Sequence, residues 1–274
     1  MKRDRCLTRA AGLNIESAMA AEALVPTSAD EAIELFGNGD GITVFAGGTI
    51  LMPEIASGRL KPSRALMLHR SGLAELRVEG DVVRIGAMVP VAALADGADE
   101  LLARFAAEIG DREVRAGATV GGNLCASPGL GAQRGDLGAP LIALGARVRS
   151  TGKGGERTEP VEDFLGADQA GRLVLEIEYD RPSGAWSAQT MRRRHTHSYA
   201  IANVAVCSSG DSLRVGVSGI GPTAVRSRAV EQSRTAEDVL KDVDPVDDAV
   251  ASAEYRRKML VVLVRRALDE VETR

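Results

Sequence analysis

The pattern of apolar and polar positions changes period repeatedly along this chain, and each change marks an element. Ser28 and Glu31 have the spacing of a capping box, and Ile33 and Phe36 share a helical face behind it. This predicts a helix over 29–36, stopped by Gly37, Gly39 and Gly41. Ile42-Thr43-Val44-Phe45 predicts a short strand that delivers the chain to Ala46-Gly47-Gly48-Thr49. Residues 50–57 predict a helix that tolerates Pro53 only near its start. A strand is predicted over 64–68, and residues 76–79 and 82–86, parted by Gly80-Asp81, predict a hairpin. Helical spacing returns over 91–94 and more strongly over 99–110, where Leu101, Leu102, Phe105 and Ile109 share a face.

The stretch Thr119-Val120-Gly121-Gly122-Asn123 follows, then a glycine-rich loop over 127–135, with Asp136 at the entrance to a helix over 137–144. Residues 147–150 and 158–161 flank Gly152-Lys153-Gly154-Gly155 as a second hairpin, and 173–179 reads as a clear strand. Beyond Arg181-Pro182-Ser183-Gly184 the character changes, which puts a domain boundary near 170–182. Strands are predicted over 199–207 and 213–218, and a polar segment with helical potential over 224–248. A last helix over 251–272 carries Leu260, Leu263, Val264, Ala267, Leu268 and Val271 on one stripe. Residues 1–22 read as an N-terminal extension of no assignable function.

Composition narrows the function classes. Aromatics are only 3%, so the core must be mainly Ala, Val, Leu and Ile. A formal charge of −4 makes no electrostatic case for nucleic acid. Cys6, Cys125 and Cys207 are far apart and have no CxxC spacing. That excludes an iron–sulfur cluster held by cysteines of this chain alone, which needs about four, and argues against a disulfide framework. A reducing, cytoplasmic compartment is the expectation. The basic start lacks the apolar stretch of a signal peptide. No run of about 18 apolar residues predicts a membrane span.

The two Gly-Gly pairs carry the chemistry. Adjacent glycines let a backbone adopt φ > 0 and approach a ligand closely, and successive amide N–H groups form an anion site. Two such turns in one fold would grip a pyrophosphate from both sides. Neither is a Walker loop, since no Gly-Lys-Ser or Gly-Lys-Thr is present. Val215-Gly216-Val217-Ser218-Gly219-Ile220-Gly221 lacks the surroundings of a Rossmann fingerprint. Asp136 reads both as a helix N-cap and as an acceptor for a ligand hydroxyl, and the two are compatible. Arg192-Arg193-Arg194 with His195 and His197 reads as a solvated edge, or as a cation facing a cofactor or docking acceptor. No acidic cluster beside it favours a metal. Cys125 reads as a small buried residue. No Ser-His-Asp set, carboxylate pair or HExxH helix appears, so no catalytic acid, base or nucleophile is assigned.

These motifs occur together in a known family. Phe45-Ala46-Gly47-Gly48-Thr49-Ile50-Leu51-Met52-Pro53 resembles the first FAD loop of the flavoprotein (medium) subunits of molybdenum hydroxylases, the carbon monoxide dehydrogenase and xanthine dehydrogenase type. Ile109-Gly110-Asp111, Val114-Arg115 and Ala118-Thr119-Val120-Gly121-Gly122-Asn123-Leu124 resemble the second. Ser127-Pro128, Asp136-Leu137, Ile201-Ala202-Asn203-Val204-Ala205 and Gly219-Ile220-Gly221-Pro222-Thr223 continue the likeness, which covers residues 24–271. Gly129 and Gly131 in the loop, Thr190 near a position that is often Lys, and the lack of a four-cysteine insert depart from the pattern.

The resemblance implies an α+β fold. A p-cresol methylhydroxylase-type FAD-binding domain of two subdomains would span 23–175, and a C-terminal domain with a small antiparallel sheet and helices 182–274. It implies FAD as the cofactor. Ala46, Gly47, Gly48, Thr49 and Ile50, with Thr119, Gly121, Gly122 and Asn123, would bind the pyrophosphate. Asp136 would bind the ribityl or nearby polar atoms, and the region of Arg193 would face the isoalloxazine. It implies as partners a 2Fe-2S small subunit, a molybdopterin large subunit and an external electron acceptor such as NAD or quinone. Two alternatives stay open: a stand-alone FAD oxidoreductase with its own substrate, and a nucleotide-binding scaffold without redox work.

Overall fold

The computed structural model describes residues 22–97, 99–126, 135–193 and 199–274. Residues 1–21 of the N-terminal extension, the greater part of the glycine-rich loop, and Arg194, His195 and His197 lie outside the described residues, while Glu22 already belongs to a strand.

The chain builds three sheets. Strand β1 (Glu22–Leu24), helix α1 (Ala29–Phe36), strand β2 (Ile42–Phe45), helix α2 (Leu51–Ala56) and strand β3 (Arg64–Met67) form a small parallel layer of order β1-β3-β2. Parallel neighbours need crossovers, and the two helices supply them. Ser28 caps α1, its Oγ accepting from the Glu31 amide at 3.1 Å. The Glu31 carboxylate reaches one residue beyond the expected partner, accepting from the amide and the hydroxyl of Thr27 at 2.7 Å each.

The predicted hairpin follows as β4 (Leu76–Glu79) and β5 (Val82–Gly86), then α3 (Val91–Gly97) and α4 (Glu100–Glu108). Asp99 caps α4 by accepting from the Leu102 amide at 2.9 Å. Two short helices that the sequence did not predict come next, α5 (Arg112–Gly117) and α6 (Val120–Leu124). Their glycines lower helix propensity, yet Asp111 and Thr119 cap both, accepting from Val114 at 2.8 Å and Gly122 at 3.1 Å.

Helix α7 (Gly138–Ala143), strands β6 (Arg147–Gly152) and β7 (Arg157–Pro160), helix α8 (Val161–Gly166) and strand β8 (Arg172–Asp180) complete an antiparallel sheet of order β4-β5-β8-β6-β7. β8 serves two cores. Leu173 and Leu175 pack with Phe36 and Leu66 of the parallel layer, while Val174 and Ile177 join Val83, Ile85, Leu101, Phe105 and Leu141. The face carrying Arg77, Arg84, Glu176 and Glu178 is instead laced by ion pairs, including Arg77–Glu176 at 2.9 Å and Arg84–Glu178 at 3.4 Å.

The third sheet is antiparallel, of order β12-β11-β10-β9, from β9 (Trp186–Arg192), β10 (Ala200–Ser209), β11 (Ser212–Ser218) and β12 (Val225–Arg226). β9 was unforeseen, because its sequence reads as the lead-in to a basic run. The polar segment holds α9 (Arg228–Ser233), and the predicted last helix is α10 (Ala253–Glu272). All of the forecast stripe on α10, Leu260 through Val271, is buried against Val204, Val206, Val215 and Val217. The other side of this sheet is met by α7. There the backbones approach so closely that a Cβ on Gly216 would sit 2.0 Å from the Ala139 carbonyl oxygen.

One polar staple holds α10 to the sheet. Arg256 is 1% exposed. It donates to the carbonyls of Ile201, Val246 and Ala251 and, through NH2, to both Asp248 carboxylate oxygens at 2.9 Å. Truncating one member of a buried pair strands the other charge. Arg256→Ala is therefore expected to lower stability by roughly 3 kcal/mol, read as a shifted midpoint in urea unfolding.

Candidate functional site

The site forms where β2 runs out. Residues 46–50 turn away from the parallel layer with Gly48 at φ 72°, the left-handed region that favours glycine. Gly47 lies against the end of α5, and a Cβ there would sit 1.9 Å from the Gly117 carbonyl oxygen. The first glycine loop is thus pressed backbone to backbone onto the segment that leads into the second. A cleft between them is lined by Ala46, Gly47, Gly48, Thr49 and Ile50 on one side and by Thr119, Gly122, Asn123 and Asp136 on the other.

The two loops present different chemistry. Within the described residues the amides of Gly47, Gly48, Thr49 and Ile50 donate to no protein group. They form a run of donors at the cleft wall, which is an anion-binding arrangement. The second Gly-Gly differs from the expected φ > 0 turn. Gly121 and Gly122 lie inside α6, and their amides and that of Val120 are already engaged. Val120 donates to Val89 and Gly121 to Ala87, both at 2.9 Å, and Gly122 to the Thr119 hydroxyl. A bridge between Pro90 and Thr119 pins the same segment. What this side offers the cleft is side-chain donors, the Thr119 hydroxyl and the Asn123 amide nitrogen. The Asn123 Oδ1 is occupied, accepting from the Leu137 amide at 3.0 Å.

The glycines of α6 are needed for close approach. A Cβ on Gly121 would meet the Ala87 Cβ at 2.8 Å, so Gly121 faces the protein and does not line the cleft between the loops. A Cβ on Gly122 would meet the Thr119 hydroxyl at 2.9 Å, with the Ala46 Cβ 3.8 Å away across the gap.

Asp136 is not the cap of α7, which begins at Gly138 with Leu137 at the N-cap and no side-chain cap. Its Oδ1 accepts instead from the Asn203 amide at 2.9 Å, and Asn203 in turn donates to the Ser218 hydroxyl at 3.2 Å. Burial pushes the Asp136 carboxyl up to about 7, against the pull of the Asn203 hydrogen bond. Asn203 is 1% exposed on β10, so the third sheet reaches the cleft through this contact. Tyr199, Ile109, Gly110 and Val114 also line it. Ile109, Gly110 and Val114 belong to the stretch that resembles the second FAD loop, whereas Tyr199, an aromatic at a strand entrance, carried no such likeness. Its phenol is pushed up by burial and by the carboxylates of Asp136 and Asp111.

Arg193 is not brought to this cleft. It is exposed, and its NH2 donates to the Val250 carbonyl at 2.5 Å. Two further lobes adjoin α6. One, of about 460 Å³, is lined by Cys125, Ala126, Asp168, Arg172, Ser218 and Thr223 among others. The other, of about 100 Å³, lies behind Gly121 and Gly122 and meets Val44, Cys125 and Arg172. Burial pushes the Cys125 thiol up to about 12, so it is no thiolate nucleophile at neutral pH. Among the described residues no cluster of His, Cys, Asp or Glu could hold a metal, and no helix is long and apolar enough to cross a membrane.

Comparison with known proteins names the fold. Residues 18–178 match the FAD binding domain in molybdopterin dehydrogenase, and residues 186–271 match the CO dehydrogenase flavoprotein C-terminal domain. The chain belongs to the molybdenum hydroxylase flavoproteins.

The flavoprotein is 29% identical to the carbon monoxide dehydrogenase medium chain of Afipia carboxidovorans, over 91% of this chain and 96% of that one. It is 27% identical to the 6-hydroxypseudooxynicotine dehydrogenase complex subunit alpha of Paenarthrobacter nicotinovorans, over 89% and 92%. Among solved structures it resembles carbon monoxide dehydrogenase from Hydrogenophaga pseudoflava with a TM-score of 0.80 and 27% identity, covering 92% of this chain and 97% of that one. The fold is the expected one, an FAD-binding domain followed by a C-terminal domain with an antiparallel sheet, and FAD is the cofactor of the family.

The residues present fit that cofactor. A run of unpaired amides faces a cleft whose opposite wall would be obstructed by a side chain at Gly122. Gly47→Ala and Gly121→Ala are each expected to lower the stability of the flavoprotein by roughly 1–3 kcal/mol, because the added methyl meets backbone or packed Cβ atoms. Thermal unfolding followed by circular dichroism checks this.

Proposed function

We propose that this chain is the electron-transfer flavoprotein of a multi-subunit molybdenum hydroxylase. It takes electrons from a 2Fe-2S small subunit, itself supplied by a molybdopterin large subunit, and passes them to an external acceptor such as NAD or quinone. The observation that carries this reading is the run of unpaired amides at Gly47, Gly48, Thr49 and Ile50, facing Thr119 and Asn123 across one cleft. The relatives whose names include medium chain or complex subunit support an assembly of several chains.

Bound FAD would supply the exchange between one-electron and two-electron transfer. The protein supplies binding and orientation. The amides of the first loop offset pyrophosphate charge, and the Thr119 hydroxyl and Asn123 amide donate from the other side. Gly121 acts indirectly, by letting α6 settle on Ala87, and Gly122 keeps the gap open. Asp136, held by Asn203, accepts from a ribityl hydroxyl. Arg193, an exposed cation, serves the acceptor or partner side. Residues 23–175 hold the dinucleotide, and residues 182–274 close the cleft through Asn203. The free thiols of Cys125 and Cys207 suit a cytoplasmic setting.

Two measurements test this. Purified wild-type chain should show a flavin visible spectrum, with FAD added if needed. Gly122→Val should be folded by circular dichroism yet colourless, and flavin absorbance surviving that change would overturn the loop assignment. The second uses pH. A carboxyl with a folded-state value of about 7 accepts a ligand hydroxyl more strongly once ionised. FAD affinity should then tighten as pH rises, by up to about tenfold per unit below this value, and level off above it. Asp136→Asn should flatten that slope, measured by fluorescence titration between pH 5.5 and 8.5 (about three units, to span the transition).

A further inference from the structure

Arg172, the first residue of β8, lines both the 460 Å³ lobe beside Cys125 and the small lobe behind Gly121 and Gly122. Its guanidinium is fixed from one side. Nη1 donates to the carbonyls of Lys153 at 2.9 Å and Gly155 at 2.8 Å, and Nη2 to the Ser150 carbonyl at 2.9 Å and hydroxyl at 2.7 Å. All four acceptors are uncharged. Among the described residues no carboxylate stands within ion-pair distance of it. Other inward-facing arginines are neutralised: Arg226 pairs with Glu231 at 2.9 Å and Glu162 at 3.1 Å, and Arg256 with Asp248 at 2.9 Å. The Arg172 Nε is buried and has no acceptor at all. Burial, with the nearby Arg157 charge and against the pull of the Glu159 carboxylate, holds its pKa below the ordinary arginine value.

A buried guanidinium N–H left without an acceptor is costly to the fold. Its position on the wall of both lobes beside α6 gives that cost a use, because a ligand group entering them can supply what the protein withholds. We propose that Arg172 is an electrostatic positioning residue for the flavin, a fixed positive charge that stabilises the electron-rich reduced cofactor over the oxidised one and so raises its reduction potential. It donates no proton and forms no covalent bond. Its strand-side anchors keep the charge from swinging into solvent, which is what an electrostatic role demands. The inference rests on the FAD reading above.

The test uses the full chain loaded with FAD, and the readout is the midpoint potential by spectroelectrochemical titration. Arg172→Met should favour the oxidised flavin by about tenfold, a fall of about 30 mV for a two-electron couple. Arg172→Lys should keep most of the wild-type potential. Ser150→Ala removes one anchor but leaves the charge, so it should leave the potential close to wild type while lowering thermal stability. An unchanged potential in flavin-loaded Arg172→Met overturns the proposal. So does an equal fall in Arg172→Met and Ser150→Ala, which would make the effect structural. Arg172→Gln, which keeps donors for the turn carbonyls, carries the same comparison if the Met variant does not fold. A wild-type chain that takes up no flavin at any concentration would instead overturn the function proposed above, and this inference with it.

Discussion

A run of backbone donors that the protein does not satisfy is the constraint on which the rest of the molecule depends. Nearly every buried amide in a folded chain finds a partner, and α6 obeys this fully, with Val120, Gly121 and Gly122 all engaged. Residues 47–50 are half-buried at a cleft, and among the described residues their amides donate to no protein group. Their amides can stay free only because the loop is held open from behind, where Gly47 presses onto the Gly117 carbonyl and Gly48 takes a conformation that turns the chain. The segment behind it is held in turn. α6 is bound to residues 87–90 at the end of β5, and that strand lies beside β8 in the five-stranded sheet. Donors on a rigid frame hold an anion without first having to be ordered, which is why preorganised amides are effective.

The cleft is also a meeting of three sheets. The parallel layer supplies the first loop through β2, and the five-stranded sheet supplies the second through β5. The third sheet reaches in through Asn203 to Asp136. α7 makes this joint stiff. It stands just after the cleft in sequence and packs its backbone on Gly216 of β11, at a distance no larger residue would allow. The Asp136–Asn203–Ser218 chain runs along the same seam, with Asp136 on the cleft between the loops and Ser218 on the neighbouring lobe. A ligand spanning both would therefore touch groups already coupled by hydrogen bonds.

Much of this was legible from local pattern. The α1 helix, the β4–β5 hairpin, β8 and the apolar stripe of α10 follow from periodicity and turn residues, because each is decided by neighbours within a few positions. The elements that were not foreseen share a cause. α5 and α6 are glycine-rich and poor helix formers, and they exist because Asp111 and Thr119 cap them and tertiary contacts with Ala87 and Val89 hold them. β9 reads as polar and basic, and it is a strand because β10 pairs with it along most of its length. In both cases long-range contact overrode weak local preference.

The same division runs through the site. The sequence by itself determined that two glycine pairs stand with Thr49 and Asn123 beside them, and that the chain resembles the molybdenum hydroxylase flavoproteins. Both are matters of residue type. Only the tertiary structure decided that the pairs are unlike, one a loop with free amides and the other a helix turn whose amides are engaged. It also decided that Asp136 answers to Asn203 rather than capping α7, that Arg193 stays at the surface, and that Arg172 lines the lobes beside α6 with its Nε unpartnered. Those are questions of which groups remain unpaired once the chain is packed, and hydrogen bonds between residues 67 apart, as for Asp136 and Asn203, leave no trace in local sequence.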